Sequence, residues 1–242
     1  MPEEGYIDIH THIIPGVDDG SKNIEETVSM LETAYNQGIR TMYATPHYGS
    51  GKERYDREYL IKQYELVKEK ACQIGDGIEI LLGNEIYYRH GTVDEIKSGQ
   101  ALTMNNTKYV LIEFDVDIRY KELYSALQKI VLSGYRPILA HIERYYCLHK
   151  KFDLLYAIKS LGVCLQINAS SVIPKIQSEA SFCRKAIRDG YISFLGSDCH
   201  SAGWRPPCMA DAVKALTKKT PEKIMDRILY KNPAKIYNNE FI

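Results

Sequence analysis

Two kinds of apolar pattern alternate along the chain. Short runs rich in β-branched and aromatic residues read as strands: YIDIH (6–10), IRTMYAT (39–45), IEILLG (78–83), YVLIEF (109–114), RPILAH (136–141), VCLQIN (163–168) and YISFLGS (191–197). Several are apolar almost throughout, as strands buried on both faces are. Between them, apolar positions recur at helical spacing. Ile24, Val28, Leu31 and Tyr35 form one stripe, with Asn23 as its cap and Glu26 as the reciprocal capping partner. Leu60, Tyr64, Val67, Ala71 and Ile74 form a second, Leu123, Leu127, Ile130 and Val131 a third, and Leu154, Leu155, Ile158 and Leu161 a fourth that stops at Gly162. Phe182, Ala186 and Ile187 run to Gly190. Met209, Val213 and Leu216 follow Pro206 and Pro207, and Thr220-Pro221-Glu222 opens a last helix with proline in its first turn.

Strand and helix in alternation predict a parallel sheet. Seven strands with crossovers of one hand favour a closed or nearly closed barrel of TIM type over an open doubly wound sheet. No G-x-G-x-x-G or G-x-x-x-x-G-K-[ST] follows a strand, so a nucleotide-binding open sheet has no support. The 242 residues suit one large core, and a single domain over 1–242 is expected.

The ligating side chains fall at one end of these strands. His10 ends the first and His12 lies just beyond. His47 follows the second, Glu85 the third, and Glu113 is near the end of the fourth. His141 ends the fifth, and Asp198 and His200 follow the seventh. In a parallel barrel these ends meet at one mouth. Alternate residues of a strand face the same side, so His10 and His12 can face one ion, as can Asp198 and His200. Six of the seven predicted strands contribute, and chance would scatter the residues over both ends. Imidazole with carboxylate and no thiolate suits Zn, Mn or Fe rather than a closed cysteine site. Eight or nine ligands exceed one ion, so two or three are implied, an arrangement that activates water and grips the oxygens of an in-line displacement at phosphorus. Arg144, three residues after His141, and Arg205, five after His200, favour phosphate-ester hydrolysis over amide or deaminase chemistry, because guanidinium forks match phosphate oxygens.

Bulk properties remove other classes. Lys+Arg and Asp+Glu are both 31, so net charge gives no basis for nucleic-acid binding. No apolar run approaches the roughly 18 to 20 residues of a membrane span. The opening MPEEGYIDIH is acidic and then strand-like, so no secretory signal is expected. Cys72, Cys147, Cys164, Cys183, Cys199 and Cys208 form no C-x-x-C pair and read as reduced thiols of a cytoplasmic protein.

Taken together, IDIHTHIIPGVDDGS, ATPH, GNEIYY, YVLIEF, AHIERY and SDCHS…RPP resemble the polymerase-and-histidinol-phosphatase superfamily. Within it they resemble the bacterial manganese-dependent tyrosine-protein phosphatases of capsule and exopolysaccharide operons. The resemblance runs from Asp8 to about Asn232, with HIERY and the Arg-Pro-Pro as its more specific parts. It implies a distorted seven-stranded (β/α)7 barrel and a trinuclear site. His10, His12, Glu85 and Asp198 would hold one ion, and Glu85 would bridge to a second held by Glu113 and His141. Asp19, His47 and His200 would hold the third, and Arg144 and Arg205 the substrate phosphoryl group. Many superfamily members have histidine where Asp19 stands. The carboxylate makes that site harder and moves the expected metal toward Mn2+ or Fe over Zn. The resemblance further implies hydrolysis of phosphotyrosine by a metal-bridged hydroxide, on an autophosphorylating bacterial tyrosine kinase. Gly16 and Gly20 would let the DDG turn bring Asp19 back to the metals, leaving Asp18 solvated or at a helix entry.

Three rivals remain at this point. Histidinol phosphatase, a small-molecule enzyme of the same superfamily, is one. Short loops such as TPHYGSGKER favour an open mouth instead, where Lys52 and Arg54 could meet acidic flanking residues. A non-catalytic metal-bound regulator is another, against which the complete ligand set speaks. The third is a thiol mechanism, since Cys199 and Arg205 match C-x5-R. Alternation points Cys199 away from the metals, and its loop has one glycine and two following prolines.

Overall fold

The computed structural model describes residues 5–174 and 179–242. Its strands, all parallel, are β1 (Tyr6–Thr11), β2 (Ile39–Ala44), β3 (His47–Tyr48), β4 (Glu79–Leu82), β5 (Glu85–Tyr87), β6 (Tyr109–Glu113), β7 (Arg136–Leu139), β8 (Cys164–Asn168) and β9 (Phe194–Gly196). They form one ladder in the order β1-β2-β4 and another in the order β3-β5-β6-β7-β8-β9. The sheet curls, with helices around it, into a TIM-barrel-like half-barrel. An isolated parallel bridge joins Thr11 to Cys199. Beside it, Asp198 N donates to His10 O at 2.8 Å and His12 N to Cys199 O at 2.9 Å.

Seven strands are predicted and nine are seen among the described residues, because the second and third are each broken. Pro46 has no N–H to offer a ladder, so the strand that begins at Ile39 stops at Ala44 and resumes at His47. The matching break in its neighbour is filled by Asn84. Its Nδ2 donates to Pro46 O at 2.9 Å, and its Oδ1 accepts from Leu102 N at 2.9 Å. The chain kinks at both breaks, and β3 and β5 then join the second ladder with His47 opposite Glu85. The predicted last strand shrinks to three residues, Phe194–Gly196.

The helices are α1 (Ile24–Asn36), α2 (Arg57–Ala71), α3 (Thr92–Ser98), α4 (Tyr120–Leu132), α5 (Phe152–Ser160), α6 (Ala180–Arg188), α7 (Met209–Thr217), α8 (Glu222–Asp226) and α9 (Asn232–Tyr237). Asn23 caps α1 by accepting from Glu26 N at 2.9 Å, but Glu26 takes the N–H of Lys22, not of Asn23. The buried stripe of α1 is Thr27, Met30, Leu31 and Ala34, rotated from the predicted one. Thr27 can face inward because its hydroxyl donates to Ile13 O at 2.8 Å. The short α3 has only Val93 and Ile96 as buried large apolar residues, too few to show a period. The predicted last helix divides: α8 passes through a π turn at Arg227–Lys231 before α9, whose Pro233 lacks an N–H. Among the described residues, no helix is long and apolar enough to cross a membrane.

Candidate metal centre

All nine side chains expected to ligate converge at the carboxyl ends of the strands, where β3 and β5 prolong the paths of β2 and β4. His10 Nε2 lies 3.3 Å from Glu85 Oε2 and 3.4 Å from Asp198 Oδ1. His12 Nε2 lies 3.2 and 3.5 Å from the same two oxygens. His10, His12, Glu85 and Asp198 thus present four ligand atoms within 4.8 Å of one another. His12, Asp19, His47 and His200 form a second such group, and His47, Glu85 and Glu113 a third. The groups share His12, His47 and Glu85, so the cluster is continuous. His141 joins through Nε2, 2.7 Å from Glu85 Oε1 and 3.6 Å from Glu113 Oε2. The grouping differs from the expected one in placing His12 and His47 in two groups each.

Two carboxylates split their oxygens between tasks. Glu85 Oε2 faces His10, His12 and His47, while its Oε1 faces His141. Asp198 Oδ1 faces the imidazoles, while its Oδ2 accepts from Asn168 Nδ2 at 2.6 Å, from Arg144 Nη2 at 2.9 Å and from Arg205 Nη2. Both arginines line a cavity of about 970 Å³ together with Asn168, the third donor to Asp198 Oδ2. They are not surface ion pairs, because their shared partner Asp198 is buried.

A second layer fixes the imidazoles. His12 Nδ1 donates to Asp18 Oδ2 at 2.8 Å, His10 Nδ1 to Gln166 Oε1 at 3.4 Å, and His200 Nδ1 to Asp198 O at 3.0 Å. With Nδ1 carrying the proton, each Nε2 lone pair is left for the cluster. His47 Nδ1 lies 3.1 Å from Glu85 Oε2 and 3.2 Å from Glu113 Oε1 without hydrogen-bond geometry to either. A buried ring nitrogen between two carboxylates with no hydrogen bond is what shared coordination of a cation requires, and the donor set fits Mn, Fe or Zn. The cluster is a histidine–carboxylate site consistent with a metal cofactor.

The field in the cluster follows from burial and charge. Burial alone would push Glu85 up, but the imidazoles around it, His10 and His47 first, hold its carboxyl well below the usual range. Asp198 is likewise held well below its ordinary value, against burial, by His10, His12 and Arg205. Burial opposes protonation of His47, and the Glu85, Asp19 and Glu113 carboxylates together outweigh it, raising this imidazole to about 9. His200 goes the other way, down to about 4, through burial and the neighbouring His12. The carboxylates therefore draw positive charge to the centre of the cluster.

Asp18 corrects the sequence reading. It is buried, not solvated: Oδ2 accepts from His12 Nδ1 and from His47 N at 3.0 Å, and Oδ1 from Gly20 N at 2.9 Å. Burial opposes its ionisation, but His12 and these donors lower its carboxyl. Asp19 turns outward from the same loop, half-exposed, with Oδ1 3.3 Å from His47 Nε2 and 3.5 Å from His200 Nε2. The turn needs both glycines for different reasons. Gly16 sits at φ +73, and a Cβ on Gly20 would stand 2.3 Å from His12 O. Asp18→Asn is expected to keep the fold and weaken metal affinity about 10- to 100-fold, as measured by competition with a metal-binding dye. Unchanged affinity would remove Asp18 from the site. Lys52, expected at the substrate mouth, instead points at the cluster, with Nζ 3.0 Å from Asp19 Oδ2 and 3.0 Å from His47 Nε2.

Three further residues belong to the site and went unassigned in the sequence. Gln166 and Asn168 lie on β8, the strand without a ligand. Gln166 Oε1 accepts from His141 N at 2.7 Å, and its Nε2 donates to Asn168 Oδ1 at 2.8 Å. Asp8 Oδ1 accepts from Ser197 N at 2.9 Å and His10 N at 3.3 Å, and burial pushes its carboxyl up to about 6. The signal was alternation: Asp8 shares a face with His10 and His12, and Gln166 and Asn168 share a face of an otherwise apolar strand.

A curled parallel half-barrel with a multi-histidine, multi-carboxylate cluster at its strand ends defines a metal-dependent enzyme of TIM-like architecture. The sequence pattern of the family described as capsular polysaccharide synthesis, CpsB/CapC, matches residues 6–238. This chain belongs to the CpsB/CapC family. Tyrosine-protein phosphatase CpsB of Streptococcus agalactiae serotype V is 32% identical over 242 residues, 98% of this chain and 100% of that one. Tyrosine-protein phosphatase YwqE of Bacillus subtilis is 31% identical over 217 residues, 88% of this chain and 84% of that one. A solved structure from the pair YwqE of Bacillus subtilis and CpsB of Streptococcus pneumoniae, described as metal-dependent tyrosine phosphatases, superposes with a TM-score of 0.88. It is 28% identical, covering 98% of this chain and 96% of that one.

Proposed function

We propose that this chain is a metal-dependent protein-tyrosine phosphatase, acting on an autophosphorylated bacterial tyrosine kinase in capsular or extracellular polysaccharide biosynthesis. The observation that carries the reading is the division of Asp198, one oxygen in the histidine–carboxylate cluster and the other under two guanidinium groups. It couples a metal site to a phosphate anchor through one side chain. Relatives over nearly the whole chain that carry the name tyrosine-protein phosphatase support the substrate class.

In this reading His10, His12, Asp19, His47, Glu85, Glu113, His141, Asp198 and His200 hold a trinuclear centre, Mn2+ by preference given the carboxylate at Asp19. The seven predicted strands act as staves of one distorted (β/α)7 barrel in a single domain, two of them broken, with the Thr11–Cys199 bridge as its seam. When bound, the ions supply a water-derived nucleophile at neutral pH and positive charge for the phosphoryl oxygens. Arg144 and Arg205 orient those oxygens and take up the charge that grows on them in the transition state. A phenolate with a parent pKa near ~10 leaves without a strong general acid. The two arginines line an open cavity, which suits a phosphorylated side chain on a polypeptide. Six cysteines without disulfides suit the cytoplasm.

Cys199 does not fit a thiol mechanism. It is fully buried in the apolar core, and burial pushes its thiol far up, so the thiolate that such chemistry needs is suppressed. Cys199→Ser is expected to keep hydrolysis of a phosphotyrosine peptide within about threefold, while a chelator abolishes it and added Mn2+ restores it. Activity that survives chelation and is lost in Cys199→Ser would overturn the proposal.

A further inference from the structure

The cavity that holds the arginines has an apolar rim for which phosphate binding has no use. Trp204, the only tryptophan of the chain, is 84% exposed, Tyr146 is 72% exposed and Val116 43%. All three line the cavity of about 970 Å³ together with Arg144 and Arg205. Leaving large aromatic side chains in water forfeits their burial, and such residues grouped at a cleft mark a contact surface.

The backbone beneath these rings is pinned. Ser201 Oγ accepts from Trp204 N and from Arg205 N, each at 2.9 Å, and His200 N donates to Arg205 O at 2.9 Å. Pro206 and Pro207 follow and fix φ. Tyr146 N donates to Val116 O at 3.0 Å, tying the second ring to the third rim residue. Trp204 directly precedes one arginine and Tyr146 comes two residues after the other. Each phosphate anchor thus carries an exposed ring beside it, on a backbone that its own turn holds in place.

We infer that Trp204 and Tyr146, with Val116, form the subsite for the aromatic ring of the substrate. An aryl monoester carries a flat apolar ring one ester oxygen from phosphorus, so a site that anchors the phosphoryl group on Arg144 and Arg205 must meet that ring at the adjoining wall. Exposed aromatic rings there gain area burial and ring–ring contact from an aryl group, and gain far less from a short polar alkyl chain. The rim therefore selects aryl over alkyl phosphates. The inference rests on the tyrosine-phosphatase reading and deepens it.

The test uses the Mn2+-loaded protein. Titration with a peptide containing the non-hydrolysable phosphonomethyl analogue of phosphotyrosine is expected to shift or quench the single-tryptophan fluorescence saturably, whereas inorganic phosphate leaves it unchanged. In steady state, Trp204→Ala is expected to raise KM for a phosphotyrosine peptide about tenfold with kcat within about twofold, and Trp204→Phe to recover most of the loss. KM for 2-aminoethyl phosphate should change much less. Trp204 is exposed, so its replacement leaves the core intact. A wild-type protein that does not hydrolyse the phosphotyrosine peptide would sink the functional reading and this subsite with it. Robust hydrolysis with silent tryptophan fluorescence, or with Trp204→Ala equally impaired on both esters, would overturn the subsite alone.

Discussion

Glu85→Gln is expected to strip the cluster of bound metal and to lower phosphotyrosine hydrolysis by about 10³-fold or more. No other side chain of the site touches as many candidate ligands: Glu85 has oxygens within 3.3 Å of His10, His12, His47 and His141. It is 1% exposed, so water cannot take its place. Glutamine has nearly the same shape but carries no charge, and one of its two terminal atoms becomes an N–H donor facing imidazole nitrogens. A bridging position then meets a repelling group where it needs a lone pair. Metal ions at a phosphoryl centre are worth several kcal/mol of transition-state stabilisation, which at 1.36 kcal/mol per decade gives the stated loss. Elemental analysis and activity should fall together. Glu85→Gln protein that keeps its full metal complement and activity within tenfold of wild type would show that Glu85 is a neighbour of the centre and not its hub.

The sequence already made part of this centre legible, for a physical reason. Side chains alternate along a strand, so His10 and His12 had to share a face, and a parallel sheet puts all its carboxyl ends on one side. Those two facts collect His10, His12, His47, Glu85, Glu113, His141, Asp198 and His200 without any coordinates. They do not say how each side chain turns inward. His141 and Asp198 do so through left-handed backbone, at φ +34 and +54, a conformation that non-glycine residues seldom adopt and that no local pattern announces. Nor does a pattern reveal that Pro46 and Asn84 would break two neighbouring strands at the same height.

Asp18 and Asp19 show the limit most plainly. Two identical residues in a glycine-rich turn have the same propensity and the same chemistry, and only the path of the turn separates them. Gly20, pressed against His12 O, fixes that path so that one carboxylate goes under the His12 ring and the other over the cluster. Choosing Asp19 as the ligand came from family resemblance, and the geometry shows what that choice omitted: the ring that Asp18 holds. Gln166 and Asn168 carry no charge and no imidazole, so nothing in their residue type singles them out in a strand sequence. Their work is one layer out, orienting His10, His141 and Asp198 through hydrogen bonds that exist only once β8 lies between its neighbours.

Arg205→Ala is expected to lower kcat/KM for a phosphotyrosine peptide by about 10² to 10³-fold, and Arg205→Lys to recover little of it. Removing one preorganised donor from a developing oxyanion costs that much in other hydrolases, and a lysine keeps the charge without the fork that spans two oxygens. One complication is built into the site, because Arg205 also donates to Asp198 Oδ2. Losing it frees that oxygen, so a metal-affinity change could mimic a loss of phosphate binding. Asn168 and Arg144 still hold the same oxygen at 2.6 and 2.9 Å, and so Asp198 should keep its orientation. Metal content of Arg205→Ala should therefore match wild type while kcat/KM falls and inhibition by inorganic phosphate weakens. Asn168→Ala likewise leaves two donors on that oxygen, Arg144 and Arg205, and should keep both its metal content and its inhibition by phosphate near wild type. If Arg205→Ala loses its metal in proportion to its activity, the arginine acts by holding Asp198 and the phosphate anchor has to be sought in Arg144 alone.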